Sequence, residues 1–309
     1  MNNKLLVLGT MAYDAIETPF GKTGKILGGC ATYIGLAASH FKTECGLISI
    51  IGSDFEKKHL DLLKAKNLDL TGVEQLEGEK TFFWSGKYHN DLNSRTTLDT
   101  QLNVLTKFKP RIPDNFKDAS VVLLGNLDPN VQLEVLDQMD TKPDLLIMDT
   151  MNFWIESYRE KLDELISRVD VISINDEEAR QITQKYSLVE AAKDLQVMGP
   201  KYVVIKKGEH GALLFNGNDI FCAPGLPLEE VFDPTGAGDS FIGGFAAYLV
   251  QRKKVSFEDM KTAVIVGSAL ASFTVQEFGT TALEKMTFAQ LAQRIQAFKS
   301  LTEFEIELI

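Results

Sequence analysis

The chain has 309 residues and 34.3 kDa, with 32 Lys+Arg against 43 Asp+Glu, a formal net charge of −11 and a pI near 5.0. A field of that sign repels polyanions at long range and argues against nucleic acid as a partner, while leaving room for a small phosphorylated ligand held by backbone N–H groups at a helix N-terminus. Cys30, Cys45 and Cys222 form no C-x-x-C pair, Met1-Asn2-Asn3-Lys4 leads into only a short apolar run before Gly9, and the apolar runs 241–250 and 263–273 fall short of the roughly 20 residues of a span, so a cytoplasmic protein without a membrane partner is expected.

In chain order, a strand is predicted at 5–8, followed by a non-helical stretch at 15–27 that contains Pro19, Gly21 and Gly24. A helix at 30–41, a strand at 44–51 and a helix at 55–66 come next. Lys80 to Leu105 breaks the alternation: it is rich in aromatics and Thr, reads as strand at Thr81-Phe82-Phe83-Trp84 and Lys87-Tyr88-His89, and holds no helix. Beyond it, strands at 120–125, 145–149, 169–174 and 202–206 alternate with helices at 131–139, 155–167, 176–185 and 188–198. A hairpin follows at 212–215 and 220–222 around Asn216-Gly217-Asn218, then helices at 238–250 and 257–275. Alternation of this kind implies βαβ units and an α/β fold with a mainly parallel sheet. With no linker-like tract, residues 1–309 are expected to form a single domain, with about 13–27 and 80–105 as a small β lid over the strand ends.

Several short motifs fail on inspection. Gly21-Lys22 would need Gly at position 16 to complete a phosphate-binding loop, and Ile16 stands there. Ser39-His40-Phe41-Lys42 and Lys22-Thr23-Gly24 echo β-lactamase signatures in reversed order, the string at Ser240 lacks the last Gly of a nucleophile elbow, and the four histidines show no H-E-x-x-H spacing. The string Asp233-Pro234-Thr235-Gly236-Ala237-Gly238-Asp239-Ser240-Phe241 survives. Its small residues can turn the backbone so that N–H groups face one concavity at a helix start, where the dipole favours the charge of a transferring phosphoryl group. Asp239 then falls in the first helical turn, placed to take a proton from an attacking alcohol. A plain turn followed by a dipole-favoured carboxylate would explain the glycines and Asp239 separately, but not the whole string.

That nine-residue string resembles, residue for residue, the C-terminal signature of the PfkB, or ribokinase-like, family of carbohydrate and nucleoside kinases. The resemblance implies a ribokinase-like three-layer α/β/α sandwich and ATP-dependent phosphorylation of a hydroxyl on a sugar or ribonucleoside, with Asp239 as base and the Gly236, Ala237 and Gly238 amides as the anion hole. Asp14, after Val7-Leu8-Gly9, resembles the family acid that binds sugar hydroxyls, and Gly28-Gly29 resembles the di-glycine that lets substrate lie against the backbone. Tyr33 departs from the family, which commonly has Asn there, so one sugar contact is missing or replaced. Asn175-Asp176-Glu177-Glu178 matches the N-x-x-E motif, implying that Asn175 and Glu178 place Mg²⁺ and the phosphates mainly through water; an N-cap followed by acids is the plainer reading of the same residues. Lys207, with Gly208 and Gly211, resembles the strand and turn beside ATP, Thr235 belongs to the anion loop, and Gly279 to the turn bordering adenine. The family also implies a monovalent-cation site, here potassium near Asp233, and dimers paired through β lids.

For the acceptor, Phe82, Phe83, Trp84 and Tyr88 can stack on a base or cover a sugar, and Asn93 or Arg95 can reach hydroxyls or phosphate; packing or dimerisation would use the same aromatics. Asn126, Asp149 and Asn152 fall at or after strand ends, where ligands gather in open α/β sheets. A dinucleotide-dependent oxidoreductase would need G-x-G-x-x-G after the first strand, whereas Gly9 is followed by Thr10-Met11-Ala12. A non-catalytic sugar or nucleotide sensor on the same scaffold is opposed by the retained Asp239 and complete glycine loop, and substrate-dependent ADP formation discriminates the two.

Overall fold

The computed structural model describes residues 3–303 and 305; the ends of the expected single unit, at 1–2, 304 and 306–309, lie outside the described residues. In chain order the strands are β1 Lys4–Leu8, β2 Ala12–Thr18, β3 Gly21–Lys22, β4 Ile26–Gly28, β5 Glu44–Gly52, β6 Leu68–Leu76, β7 Phe83–Tyr88, β8 Arg95–Gln101, β9 Val121–Leu124, β10 Leu145–Met148, β11 Val171–Asn175, β12 Tyr202–Lys206, β13 Ala212–Asn216 and β14 Asp219–Ala223. The helices are α1 Cys30–Ala38, α2 Lys57–Ala65, α3 Pro129–Leu136, α4 Asn152–Ser157, α5 Arg159–Ile166, α6 Asp176–Thr183, α7 Leu188–Met198, α8 Ala237–Leu249, α9 Phe257–Thr274, α10 Thr281–Lys285 and α11 Phe288–Thr302.

A nine-stranded sheet runs in the order β14-β13-β12-β11-β10-β9-β1-β5-β6. Every pair from β12 to β6 is parallel, and the β13–β14 hairpin adds an antiparallel edge. Its central strands read as unbroken apolar runs because both faces are covered. Leu5 and Val7 pack into the core with α1, α8 and α9, while Leu6 and Leu8 face the opposite core with α3, α5, α6 and α7. The result is the helix–sheet–helix layering expected for an α/β chain. A second sheet in the order β3-β2-β7-β8, with β4 also on β2, forms from the two segments expected to make the lid. Its β2–β7 pair is parallel, joining Asp14 to Trp84 in register.

Three local differences from the sequence reading have physical causes. The expected helix at 155–167 is two helices, because the chain breaks at Tyr158, whose φ −133° and ψ 35° leave the helical well. The edge strand β6 carries Asp69, Thr71, Glu74 and Gln75, too polar to advertise a strand, and β8 is exposed along its whole length. The stretch 15–27 is non-helical as expected, but it contains most of β2 together with β3 and β4.

Candidate active site

The site forms where the C-terminal ends of the parallel strands meet the N-termini of α1 and α8, and each end is built locally. Gly29 caps α1 with φ +91°, a backbone form L side chains rarely adopt, and a Cβ there would overlap the Thr10 carbonyl. At Gly28 a Cβ would overlap the Asp14 carboxylate, so the di-glycine is what lets Asp14 lie against the start of α1. Asp14 is buried and accepts from the Gly29 N–H; burial first, then the charges of Asp233 and Asp239, push its carboxyl up to about 7.

Gly236 caps α8 in the left-handed form, φ +76°. The Tyr33 ring lies against it, buried, with a hydroxyl that has no hydrogen-bond partner among the described residues. Ala237 donates its N–H to Pro234 O at 3.2 Å and Ser240 donates to Gly236 O at 2.8 Å; among the described residues the Gly238 and Asp239 N–H groups carry no such partner. Two orphan donors at a helix N-terminus make an anion-binding turn. Asp233, fully buried, holds the preceding loop: Oδ1 accepts the Thr235 N–H and Oδ2 the Gly279 N–H, each at 2.9 Å.

Three acids, one of them Asp239, cluster around Lys206. Asp149 follows β10, Glu178 sits in α6, Lys206 ends β12, and Asp239 lies in the first turn of α8. Lys206 Nζ stands 3.4 and 3.5 Å from the two oxygens of Asp149. Burial, then the Asp149 charge, pushes the Asp239 carboxyl up to about 7, partly offset by Lys206 and Arg95. Burial likewise raises Glu178 and Asp149. At Lys206 burial works against the charge, but Asp149, Glu178 and Asp239 together hold its ammonium above the ordinary lysine value. Coulomb energies of about 4 kcal/mol for a pair 4 Å apart at an effective dielectric of 20 explain why one lysine matters to three acids.

Asn175 and Glu178 form a capping box on α6: Asn175 Oδ1 accepts the Glu178 N–H and Glu178 Oε2 accepts the Asn175 N–H, both at 2.8 Å. The plainer reading of this motif is therefore present in the structure, and it leaves Glu178 Oε1 available to a water. Among the described residues no group of three His, Cys, Asp or Glu side chains could hold a metal ion directly. A donor set of one amide and one carboxylate beside Asp149 and Asp239 fits Mg²⁺, which keeps most of its waters.

The lid reaches both halves of the site. Thr235 Oγ1 donates to Tyr88 Oη at 3.3 Å, Arg95 is close enough to lower the Asp239 carboxyl, and a Cβ at Gly208 would lie 2.6 Å from Asn93 Oδ1. Gly208 and Gly211 take positive φ in the turn after β12, where Lys207 donates its N–H to Gly211 O at 2.7 Å. Phe83 is half-buried against the main core. Asn126 accepts from Trp154 Nε1 at 2.9 Å, and its carbonyl lies 3.5 Å from Cys30 Sγ. Asp14, Gly28, Gly29, Tyr33, Asp233, Gly236 and Asp239 are thus linked by close approach or by charge, while Asn152 donates instead to Gln181 Oε1 at 3.1 Å. Lys206 was not singled out in the sequence; its signal was a lysine ending the buried run Tyr202-Val203-Val204-Ile205.

Comparison with known proteins agrees with this geometry. The pfkB family carbohydrate kinase model matches residues 2–286. A cytidine kinase of Thermococcus kodakarensis is 34% identical over 249 residues, covering 79% of this chain and 87% of that protein. Among solved structures, the nucleoside kinase of Burkholderia thailandensis in complex with inosine superposes with a TM-score of 0.78 at 20% identity, covering 96% of this chain and 99% of the other. An E. coli protein described as a ribokinase II, in complex with ATP and Mg²⁺, superposes with a TM-score of 0.78 at 18% identity, covering 95% and 99%. The chain belongs to the PfkB family of carbohydrate kinases and has the ribokinase fold. It is an ATP-dependent sugar or nucleoside kinase. No helix among the described residues is long and apolar enough to cross a membrane.

Proposed function

We propose that this kinase phosphorylates the primary hydroxyl of a ribonucleoside, with Asp239 as the general base. The observation that carries this reading is the coincidence, in one turn of α8, of a carboxyl raised to about 7 and the orphan N–H groups of Gly238 and Asp239. A base near neutrality takes the alcohol proton most effectively at neutral pH, while fixed N–H dipoles stabilise phosphoryl charge without reorganising. Asp14 and the Gly28-Gly29 backbone orient the sugar, and Tyr33, Phe83, Asn93 and Asn126 line the acceptor side. Thr235, Gly236 and Gly238 hold the phosphates, with Lys207, Gly208, Gly211 and Gly279 beside the nucleotide. Asn175 and Glu178 would hold Mg²⁺ through water, where the ion supplies positive charge to the phosphates.

The ribonucleoside assignment rests on the cytidine kinase relative and on the aromatic lid, so cytidine is the first acceptor to test. Potassium near Asp233, a homodimer paired through the exposed β8 edge, a single working unit over 1–309 and a cytoplasmic setting complete the reading. The test is Mg-ATP-dependent ADP release across nucleosides, sugars and sugar phosphates, with and without potassium, using Asp239→Asn as control and sedimentation for the oligomer. Turnover on a nucleoside, lowered about 10²–10⁴-fold by Asp239→Asn with ATP affinity retained, is expected. Near-normal turnover in that variant removes Asp239 from the role, and turnover confined to sugars removes the nucleoside.

A further inference from the structure

The Lys206 side chain is only 15% exposed and faces three acids, yet its ion pair is loose. At 3.4 and 3.5 Å from the Asp149 oxygens it lies well beyond the roughly 2.7–2.9 Å of a charge-assisted hydrogen bond, whereas the surface pairs Lys4–Asp118 and Lys25–Asp54 close to 2.8 and 2.9 Å. An ammonium has three donors, and the described residues offer Nζ no acceptor besides those two oxygens. Donors largely withdrawn from solvent are normally satisfied, and the position of Nζ shows what it can reach. A Cβ at Gly238 would come within 3.3 Å of Nζ, which puts the ammonium beside the first turn of α8, where the Gly238 and Asp239 N–H groups carry no backbone partner among the described residues.

We propose that Lys206 is a phosphate-contacting residue of the transfer reaction, its ammonium leaving Asp149 to hold the β- and γ-phosphate oxygens of ATP beside the α8 amides. Asp149 is then the parking carboxylate that keeps the lysine charged and aimed while no nucleotide is bound. The site needs such a group on electrostatic grounds: Asp149, Glu178 and Asp239 would otherwise present a wall of carboxylates to an entering polyphosphate. A point charge on a flexible stem suits the task, since it can follow the γ-phosphoryl group as it moves toward the acceptor. A side chain at Gly238 would crowd the ammonium, since even its Cβ would lie 3.3 Å from Nζ.

This inference rests on the kinase reading of the site but not on the role of Asp239, and the test separates the two. Dissociation constants for ATP, ADP and AMP are measured by calorimetry with Mg²⁺ for the parent protein, Lys206→Met, Lys206→Arg and Asp149→Asn, with thermal melts alongside. Lys206→Met should weaken ATP about 10–100-fold and ADP less, while AMP changes by no more than about twofold. Lys206→Arg should recover part of the ATP affinity, and Asp149→Asn should bind ATP as tightly as the parent or more tightly. If Lys206→Met fails to fold because three acids lose their cation, the double variant Asp149→Asn/Lys206→Met removes that imbalance and should show the same split between ATP and AMP. Equal weakening of ATP and AMP, or unchanged ATP affinity, overturns the proposal. Failure of Asp239→Asn to slow turnover would leave the Lys206 result standing.

Discussion

Asp233 Oδ2 accepts the Gly279 N–H at 2.9 Å, tying the loop before α8 to the turn between α9 and α10. The other oxygen accepts from Thr235, so one fully buried carboxylate fixes two loops at once. Replacing it with Ala leaves two backbone donors without their partner, each costing about 1–3 kcal/mol. Asp233→Ala should therefore lower unfolding stability by about 2–4 kcal/mol, measured by urea denaturation, and should weaken ATP as the anion loop loosens. A variant of parent stability would mean that the loops are held by their other contacts.

The meeting of Tyr33 with Gly236 gives a second test. Gly236 has φ +76° and its missing Cβ would overlap the Tyr33 ring, so Gly236→Ala carries both a strained backbone and a clash. The backbone term is about 1–3 kcal/mol, and the clash displaces either the ring or the anion loop. Turnover should fall at least about tenfold in Gly236→Ala. Adding Tyr33→Ala should restore part of the melting temperature by removing the clash, while the backbone strain remains. If the double variant is no more stable than the single one, the ring is not what fills that space.

Much of this arrangement was legible in the sequence, and the rest was hidden for identifiable reasons. Strand Tyr202–Lys206 and helix Leu188–Met198 fall where their apolar periods predict, because burial on both faces or one dictates those periods. The loop 233–241 was legible because its chemistry is contiguous: turn, helix start and carboxylate are neighbours in the chain. The Asp149–Lys206 pair was not, since the partners are 57 residues apart and meet only because β10, β11 and β12 lie side by side. The polar strands β6 and β8 have edges and open faces that impose no apolar pattern. Neither the orphan Tyr33 hydroxyl nor the capping box at Asn175 and Glu178 could be separated from a ligand role by spacing alone.

The raised carboxyls fix the sign of two pH effects. In the proposed role of base Asp239 would act only when deprotonated, so kcat/KM should climb with pH, reach half its plateau near the value of about 7 to which burial pushes the group, and fall about tenfold per unit below it. Stability should run the other way. Asp14 and Asp239 hold protons in the folded protein up to about 7, while in the unfolded chain they lose them near 4. The folded state therefore binds more protons between those values, and stability falls as pH rises through that window and then levels off. Asp239→Asn removes its share, so at pH near 8 it should be more stable than the parent by about 1–3 kcal/mol, after discounting for solvent access, and the gap should vanish near pH 4. A gap that persists at acid pH would assign the gain to packing instead.

The lid can be tested at the contact that closes it. Thr235 Oγ1 donates to Tyr88 Oη at 3.3 Å, joining β7 to the anion loop, and Tyr88 is otherwise buried. Tyr88→Phe keeps the ring and its packing and removes that one bond, worth about 1 kcal/mol, or roughly fivefold in the closed population. A lid that excludes water protects ATP from hydrolysis until an acceptor is in place. The variant should thus raise the acceptor KM by about fivefold and release more ADP in the absence of acceptor, with its melting temperature within a few degrees of the parent. Both quantities are read from one coupled assay run with and without acceptor. Unchanged KM together with unchanged acceptor-free ADP release would mean that Tyr88 packs the lid without closing it, and would shift the burden of closure to the contact between Asn93 and Gly208.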